Sequence, residues 1–459
     1  MPTRPSETPV VIASNRGPVS YRSEGDDLVE VRGGGGLVAG LQPLLDTGRA
    51  TWIAAALSED DRSAVARGLP GPSGPVHLLD VGTGDLERYY DVVSNEVLWF
   101  LHHGLFDGAH SPTYDDDWRE SWQAYRRVNR AFAHAVCEHS PERAVVLVQD
   151  YHLTLLAPWV TTQRPDLRLV HFHHTPFAGP SEVRSLEPTA LQEILSGLAA
   201  HHACGFHTPR WEGNFLRCVD DRSLPAPRTF SSTLSSDLGA IREVAASAAC
   251  AAALARLDEQ VGDRFVIARV DRMELSKNVV RGFESYDRLL RIRPDLRGRV
   301  VFVAHCYPSR LGVPAYRAYR DLVVETVDQV NERWGDAGWT PILLELDDDF
   351  TSSVATYRRY DALLVNPVRD GLNLVAKEGP AVNERHGQVV LSTEAGVCGE
   401  LAGAADEVNP FDLVATSDAL AAVIDRSTEE RRARSEQLRR DAEARTPEDW
   451  LADQLCAAE

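Results

Sequence analysis

The sequence predicts an α/β protein built from two parallel-sheet domains. Short, continuous apolar runs alternate with helical segments, the pattern of strands buried on both faces and crossed over by helices. The alternation stops at 220–240, where Pro225, Pro227 and several serines read as an interdomain connection, and then restarts. At 459 residues the chain is too long for one core. Strands are expected at 10–13, 52–55, 145–148 and 167–170 in the first half. In the second half they are expected at 265–268, 300–304, 342–344, 362–365 and 389–391. The expected domains are 1–235, 236–425 and a charged helical segment, 426–459, packing back on the first domain. The cleft between two such domains is the natural active site.

Composition narrows the function. A formal charge of −20 argues against a nucleic-acid or anionic-membrane partner, so positive charge for a phosphorylated ligand must be local. Seven scattered cysteines, an odd number with no close pairs, suit a reducing cytoplasm, and no His/Cys spacing resembles a zinc site. No apolar run approaches the ~20 residues of a membrane helix, and residues 1–9 lack a signal-peptide core. No metal or cofactor is expected; oligomeric state is open, with a homo-oligomer among the options.

The candidate site residues fall at strand ends. Arg16, in Ser14-Asn15-Arg16-Gly17-Pro18, is either an anion clamp or a surface arginine. The run Gly33–Gly36 enters a helix and lets backbone approach a ligand, but it is not a Gly-x-Gly-x-x-Gly fingerprint. Tyr89, Tyr90 and Trp99 offer faces for sugar rings, although core packing explains one or two of them equally well. Asp150 and His174 end successive strands and suggest a shared lip. In the second half, Arg272 and Lys277 follow the first strand, as two fixed cations for a departing diphosphate or as a solvated loop. The stretch Asn366–Glu378 follows a strand and opens a helix. Gly371 is expected to take any strain in its turn, and Asn373, Leu374 and Val375 to point amides at phosphate. Glu378 lies a turn further on, within reach of sugar or ribose hydroxyls. Gly379 and Pro380 are expected to weaken or kink the helix.

These residues resemble the trehalose-6-phosphate synthases, retaining glycosyltransferases with GT-B architecture. The resemblance rests on Ser14-Asn15-Arg16, Gly35-Gly36-Leu37, Ser94-Asn95, Val97-Leu98-Trp99, Asp150 to Leu153, His174 to Phe177, Gly205 to Thr208, Arg272 to Lys277 and Arg369 to Glu378. It implies that Arg16, Tyr90 and Arg310 hold the phosphate of glucose 6-phosphate. Trp99, Asp150 and His174 would line sugar pockets. Gly36, Arg272 and Lys277 would serve the donor, with Asp370 on its glucose, Glu378 on its ribose and the 373–375 amides on phosphate. Arg272, Lys277, Asp150, His174 and Asp370 form the implied catalytic set, and trehalose biosynthesis the implied role.

The chain departs from the family at four places. Ala54 and Ala55 stand where a second Trp is usual, and Glu274-Leu275 where Asp and Tyr are usual. Gly379-Pro380 replaces an aromatic, and Asn278 replaces Gly. Asn278 is shared with validoxylamine 7′-phosphate synthase, a pseudo-glycosyltransferase that joins cyclitols through nitrogen. That branch, and a non-catalytic sugar-phosphate sensor, are the alternatives. The presence of Arg272, Lys277 and Asp370 weighs against the sensor, and the intact 373–378 run favours the synthase. GDP-glucose is expected over UDP-glucose. A carboxylate, Asp347 or Asp349, could accept both N1–H and the 2-amino group of guanine, whereas uracil offers one donor between two carbonyls. Alternation would put both carboxylates on one side; the competing reading is an acidic surface loop.

Overall fold

The computed structural model describes residues 8–25, 27–32, 36–46, 48–70, 75–109 and 111–459; Gly33, Gly34 and Gly35 lie outside them. The chain divides into two compact units, 1–234 with 447–459, and 235–446.

The first unit carries a seven-stranded sheet of β1 (Val10–Ser14), β4 (Ala50–Ala55), β5 (Val76–Leu79), β6 (Val145–Gln149), β7 (Arg168–His173), β8 (Ala203–Phe206) and β9 (Arg228–Ser231). A separate antiparallel hairpin joins β2 (Val19–Glu24) to β3 (Asp27–Arg32). The sheet order is β5-β4-β1-β6-β7-β8-β9, all parallel. Strands β1 and β6 are buried along their whole length, as continuous apolar runs in the middle of a covered sheet must be. Beside them lies the Asp116–His139 helix, capped by the Asp115 side chain, which accepts the Trp118 N–H. Trp118, Trp122, Tyr125, Phe132 and Val136 bury one helical stripe, each such side chain contributing about 1.5–3 kcal/mol.

The second unit carries β10 (Phe265–Met273), β11 (Val300–Pro308), β12 (Ile342–Glu345), β13 (Ala362–Val365), β14 (Gln388–Ser392) and β15 (Asp406–Val408). Their order, β12-β11-β10-β13-β14-β15, is that of a doubly wound nucleotide-binding sheet, again all parallel. In both sheets the chain first winds outward on one side of its opening strand and then returns to the other side. The reversal falls between β1 and β6 in one unit and between β10 and β13 in the other. Ligands of such sheets bind at the carboxyl ends of the strands flanking that point.

Two connections differ in detail from expectation. The boundary between units, at Leu234 and Ser235, falls inside the stretch read as an interdomain connection, but that stretch also holds β9, an edge strand paired with Cys204 and its neighbours. The segment expected to pack back as a whole divides. Its Thr428–Ala442 helix belongs to the second unit, where Arg439 donates to the Pro380 and Asn383 carbonyls at the end of the Val375–Val382 helix. Only the Pro447–Ala457 helix joins the first unit. Trp450 anchors it, edge-on to Phe172 at 5.2 Å. A Cβ on Gly40 would stand 3.2 Å from that indole, so a larger residue there would push the helix away.

Candidate active site

At the switch point of the first sheet, Arg16 is exposed on the loop leaving β1. The loop is set from below: the buried Trp52 indole donates to Ser14 Oγ at 2.7 Å, and Ser14 Oγ donates to the Arg16 carbonyl at 2.8 Å. Gly17 is required by close approach, because a Cβ there would meet Ala54 Cβ at 2.9 Å. The alanines that stand where a second Trp was expected are therefore packing partners of the loop.

Across the switch point, Asp150 follows β6 at φ 69°, ψ 174°, a region nearly reserved for glycine. Its Oδ1 accepts the His174 backbone N–H at 3.1 Å, which joins the ends of β6 and β7. The His174 ring sits 2.9 Å from Gln149 Oε1, and Gln149 donates onward to Gln454 of the last helix. Burial, with His207 beside it, pushes His174 well below the ordinary histidine range, so the ring is neutral at pH 7.

Tyr90 and Trp99 sit on one helical stretch whose middle, Arg88–Leu98, is wound as a π-helix. Such widened turns recur at functional sites. The Trp99 N–H reaches back to the Ser94 carbonyl, and Ser94 Oγ donates to the Tyr89 carbonyl at 2.8 Å. Tyr90 stacks near His152 at 5.9 Å between ring centroids, and Trp99 stacks on His103 at 3.9 Å. The sequence reading noticed the aromatics but not the π-winding that presents them.

Four more imidazoles stand behind this lip. His171, His173 and His201 are buried and, like His174, held below their ordinary range by desolvation first, with neighbouring imidazoles adding to it; for His201, which falls to about 4, the Leu198 and Gly197 carbonyls oppose the shift and His202 adds to it. His102 is buried against His173. In an unfolded chain these rings titrate near about 6.5. Below that value the unfolded state binds more protons than the folded one, so stability is lost as pH falls from about 6.5 towards the folded values. The chain is therefore expected to melt several degrees lower at about pH 5 than at about pH 7.5, and His201→Asn to shrink that difference. An unchanged pH difference in His201→Asn would contradict this origin.

In the second unit the switch point carries a charge cluster. Lys277 Nζ lies 2.7 Å from Asp370 Oδ2 and 3.6 Å from Asp271 Oδ1. Burial pulls its ammonium pKa down, but Asp370, Asp271 and Glu274 outweigh that and hold it above the ordinary lysine value. Asp370 Oδ2 also accepts Asn373 Nδ2 at 3.1 Å. Arg272, about half exposed, pairs with the fully buried Glu274 at 3.1 Å, and Arg310 lies 4.0 Å from the same carboxylate while donating to the Tyr316 hydroxyl at 2.8 Å.

Residues that sequence reasoning missed hold this cluster in place. Buried Arg269 donates to Asp271 at 2.9 Å, to the Lys277 carbonyl at 2.6 Å and to Asn366 Oδ1 at 2.7 Å, tying β10 to the loop after β13. Arg269 and Asp271 are two apart on a strand and share a face, a signal present in the sequence. Gly282 leaves room for that guanidinium, which would stand 2.4 Å from a Cβ.

The loop at 366–378 differs from expectation in its details. Asn373, not Gly371, takes the left-handed conformation, at φ 81°. The turn is pinned by the segment after β14, with Gly396 N–H bonded to the Asp370 carbonyl and Val397 N–H to the Leu372 carbonyl. Pro380 sits inside the Val375–Val382 helix without ending it. The helix first closes with the Lys377 and Glu378 N–H groups on the Leu374 carbonyl, and helix-opening amides ahead of that turn suit an anion. Glu378 Oε1 accepts Ser236 Oγ at 2.6 Å and Oε2 accepts the Tyr357 hydroxyl at 3.2 Å, so ribose hydroxyls would have to displace these partners. Burial raises the Glu378 pKa against those two hydrogen bonds.

The candidate base-reading carboxylates separate. Strand β12 ends at Glu345, so alternation does not extend to 347–349. Asp349 caps the Phe350–Arg359 helix and spends both oxygens on Ser352, at 3.1 Å to its N–H and 2.6 Å to its hydroxyl. Asp347 is exposed. Asn278 is also structural. It is buried at φ 60°, where Gly or Asn is tolerated, and its amide donates to the Asn366 and Pro410 carbonyls at 3.0 and 2.7 Å. Gly36 opens the Gly36–Asp46 helix.

Among the described residues no cluster of three or more His, Cys, Asp or Glu side chains could hold a metal, and no single helix is long and apolar enough to cross a membrane. All seven cysteines are free thiols.

Two doubly wound parallel sheets fit the GT-B class of glycosyltransferase, and the comparisons with known proteins assign the chain to it. The chain belongs to glycosyltransferase family 20, whose model matches residues 8–459. It is 31% identical to a trehalose-6-phosphate synthase of Mycolicibacterium smegmatis, over 97% of this chain and 92% of that protein. It is also 31% identical to a bifunctional trehalose-6-phosphate synthase/phosphatase of Thermoproteus tenax, covering 94% of this chain but only 61% of that longer protein. A solved structure described as trehalose-6-phosphate from E. coli bound with UDP-2-fluoro glucose superposes with a TM-score of 0.85 at 26% identity, over 98% of this chain and 99% of that one.

Proposed function

We propose that the chain transfers glucose from a nucleoside diphosphate glucose to glucose 6-phosphate, giving trehalose 6-phosphate with retention at the donor carbon. The observation that carries this reading is the Lys277–Asp370–Asn373 cluster beside the opening amides of the Val375–Val382 helix. On donor binding, Asp370 accepts hydrogen bonds from the glucose, and Lys277, with Arg272 and the 373–375 amides, turns to the diphosphate. The bond from the glucose C1 to the β-phosphate oxygen breaks and its electron pair leaves with the nucleotide. The C1 hydroxyl of the acceptor attacks from the same face, and its proton passes to the departing phosphate oxygen. Fixed cations stabilise charge where it develops, the largest service an enzyme can give such a step. Glu378 takes the ribose hydroxyls in exchange for Ser236 and Tyr357, and Gly36 serves the donor through its backbone. Arg310 is a fixed cation for the acceptor phosphate. Trp99, Asp150 and neutral His174 line the sugar pocket, and seven free thiols suit a cytoplasmic enzyme.

Arg16 and Tyr90 hold the acceptor phosphate. Arg16→Ala is expected to raise the KM for glucose 6-phosphate by about tenfold to 10²-fold, as loss of a charge-assisted fork does, with little change for the donor. Equal losses for both substrates would count against the assignment.

For the base we propose guanine, now on Asp347 alone, since Asp349 is a helix cap and Asn278 a backbone tie. The competing donor is that of the E. coli structure, a UDP sugar. GDP-glucose is expected to exceed UDP-glucose in kcat/KM by about tenfold or more, and Asp347→Asn to collapse the ratio. A preference for UDP-glucose would refute the base assignment and leave the reaction standing. With Asn278 accounted for by the backbone, nothing in the site favours cyclitol coupling.

A further inference from the structure

A cavity of about 440 Å³ opens in the first unit among the Asp116–His139, Ala157–Gln163 and Pro188–Ala199 helices. Its size is that of small-molecule sites. Gln123, Arg126, Arg127 and Arg130 line it at the i, i+3, i+4, i+7 spacing of one helical face. Three arginines converging on one cavity stand out in a chain of formal charge −20.

Their charges are not used alike. Arg126 makes two bonds to Glu193, the Nε one at 2.7 Å, and Glu193 also accepts the Trp122 indole N–H at 3.1 Å. Arg127 grips Asp85 with two bonds, at 2.8 and 2.6 Å. Arg130 instead lies over the Trp159 ring, 4.7 Å from its centroid, and among the described residues no carboxylate pairs with it. An arginine held over a ring face spends none of its N–H donors on a carboxylate, so they stay available to a ligand. Trp159 is itself 43% exposed, a large aromatic face beside Leu155 and Pro158 in the cavity wall.

A planar fork of donors suits a phosphate, and an open indole suits a ring. We propose that this cavity is a second ligand site, for a phosphate monoester carrying a ring that stacks on Trp159 while Arg130 takes the phosphate. A nucleoside monophosphate and a sugar phosphate share that chemistry. The site uses none of the residues assigned to glucose transfer.

Calorimetric titration of the full chain with AMP, glucose 6-phosphate and inorganic phosphate tests this. At least one ring-bearing probe is expected to bind a site that Arg130→Ala and Trp159→Ala each weaken by about tenfold or more. For glucose 6-phosphate the loss is of one of two binding events. Tighter AMP points to a base on the indole, tighter glucose 6-phosphate to a sugar face, and either supports the site. Turnover of Arg130→Ala without AMP should match the parent chain, and Arg130→Gln replaces it if the alanine variant melts early. Three results would overturn the proposal: neither ring-bearing probe binds, the variants bind as the parent does, or inorganic phosphate binds as tightly as the better ring-bearing probe.

Discussion

Lys277→Ala is expected to lower kcat/KM by about 10²–10³-fold, the range for removing a group that stabilises charge in the transition state. The ammonium lies 2.7 Å from Asp370 and 3.6 Å from Asp271, whose other oxygen takes Arg269 at 2.9 Å. Without it a diphosphate would meet two carboxylates at the switch point, and repulsion would add to the lost attraction. Lys277→Arg should recover only part of the activity, since a planar fork does not replace a compact charge between two acids. Removing one partner of a buried pair also costs stability, so melting has to be followed alongside turnover. Arg272→Ala is expected to lower turnover by about 10²-fold, and because its partner Glu274 is fully buried, melting has to be followed for it as well. Near-normal turnover in both variants would remove the diphosphate from these two residues.

Asp150 gives the second large effect. Its backbone, at φ 69° and ψ 174°, costs on the order of 1–3 kcal/mol for any residue but glycine. Asp150→Gly relieves that strain while losing the bond to the His174 N–H, worth about 1 kcal/mol, and adding a similar entropy cost. Asp150→Ala loses the bond and keeps the strain. The glycine variant is therefore expected to melt at or above the alanine variant, close to the parent. Both should lose turnover by about 10²-fold or more, because the carboxylate that would position the acceptor is gone. An alanine variant more stable than the glycine variant would show that the strain is not stored there. Full activity in either would take Asp150 out of the site.

Much of the fold was legible because central parallel strands are apolar throughout. Val10–Val11–Ile12–Ala13 and Val145–Val146–Leu147–Val148 read directly, and they pair with each other through β1 and β6. The other edges were not legible, Ile342–Glu345 being the exception. Arg228–Ser231 and Asp406–Val408 are short and polar, and pairing with a neighbour, rather than their own pattern, makes them strands. Arg16, Asp150, His174 and Arg272 were read at strand ends, where sheet topology puts them, but their partners were not. Asp349 followed three residues later by Ser352 carries a capping signal, and reading it as such would have freed Asp347 from its supposed pair. The widened Arg88–Leu98 helix leaves no mark in the spacing of Tyr89, Tyr90 and Trp99. Asn278 looked like a specificity marker, whereas its left-handed backbone explains why Gly or Asn fits.

The most direct test of the central claim is to incubate the purified chain with glucose 6-phosphate and either GDP-glucose or UDP-glucose labelled with carbon-13 at C1, and to follow the label by NMR. The account predicts one nucleoside diphosphate released per product formed, with the label in an α,α-1,1-linked disaccharide phosphate. Label found only in free glucose, in a β-linked product, or still in the donor with both nucleotides would contradict it.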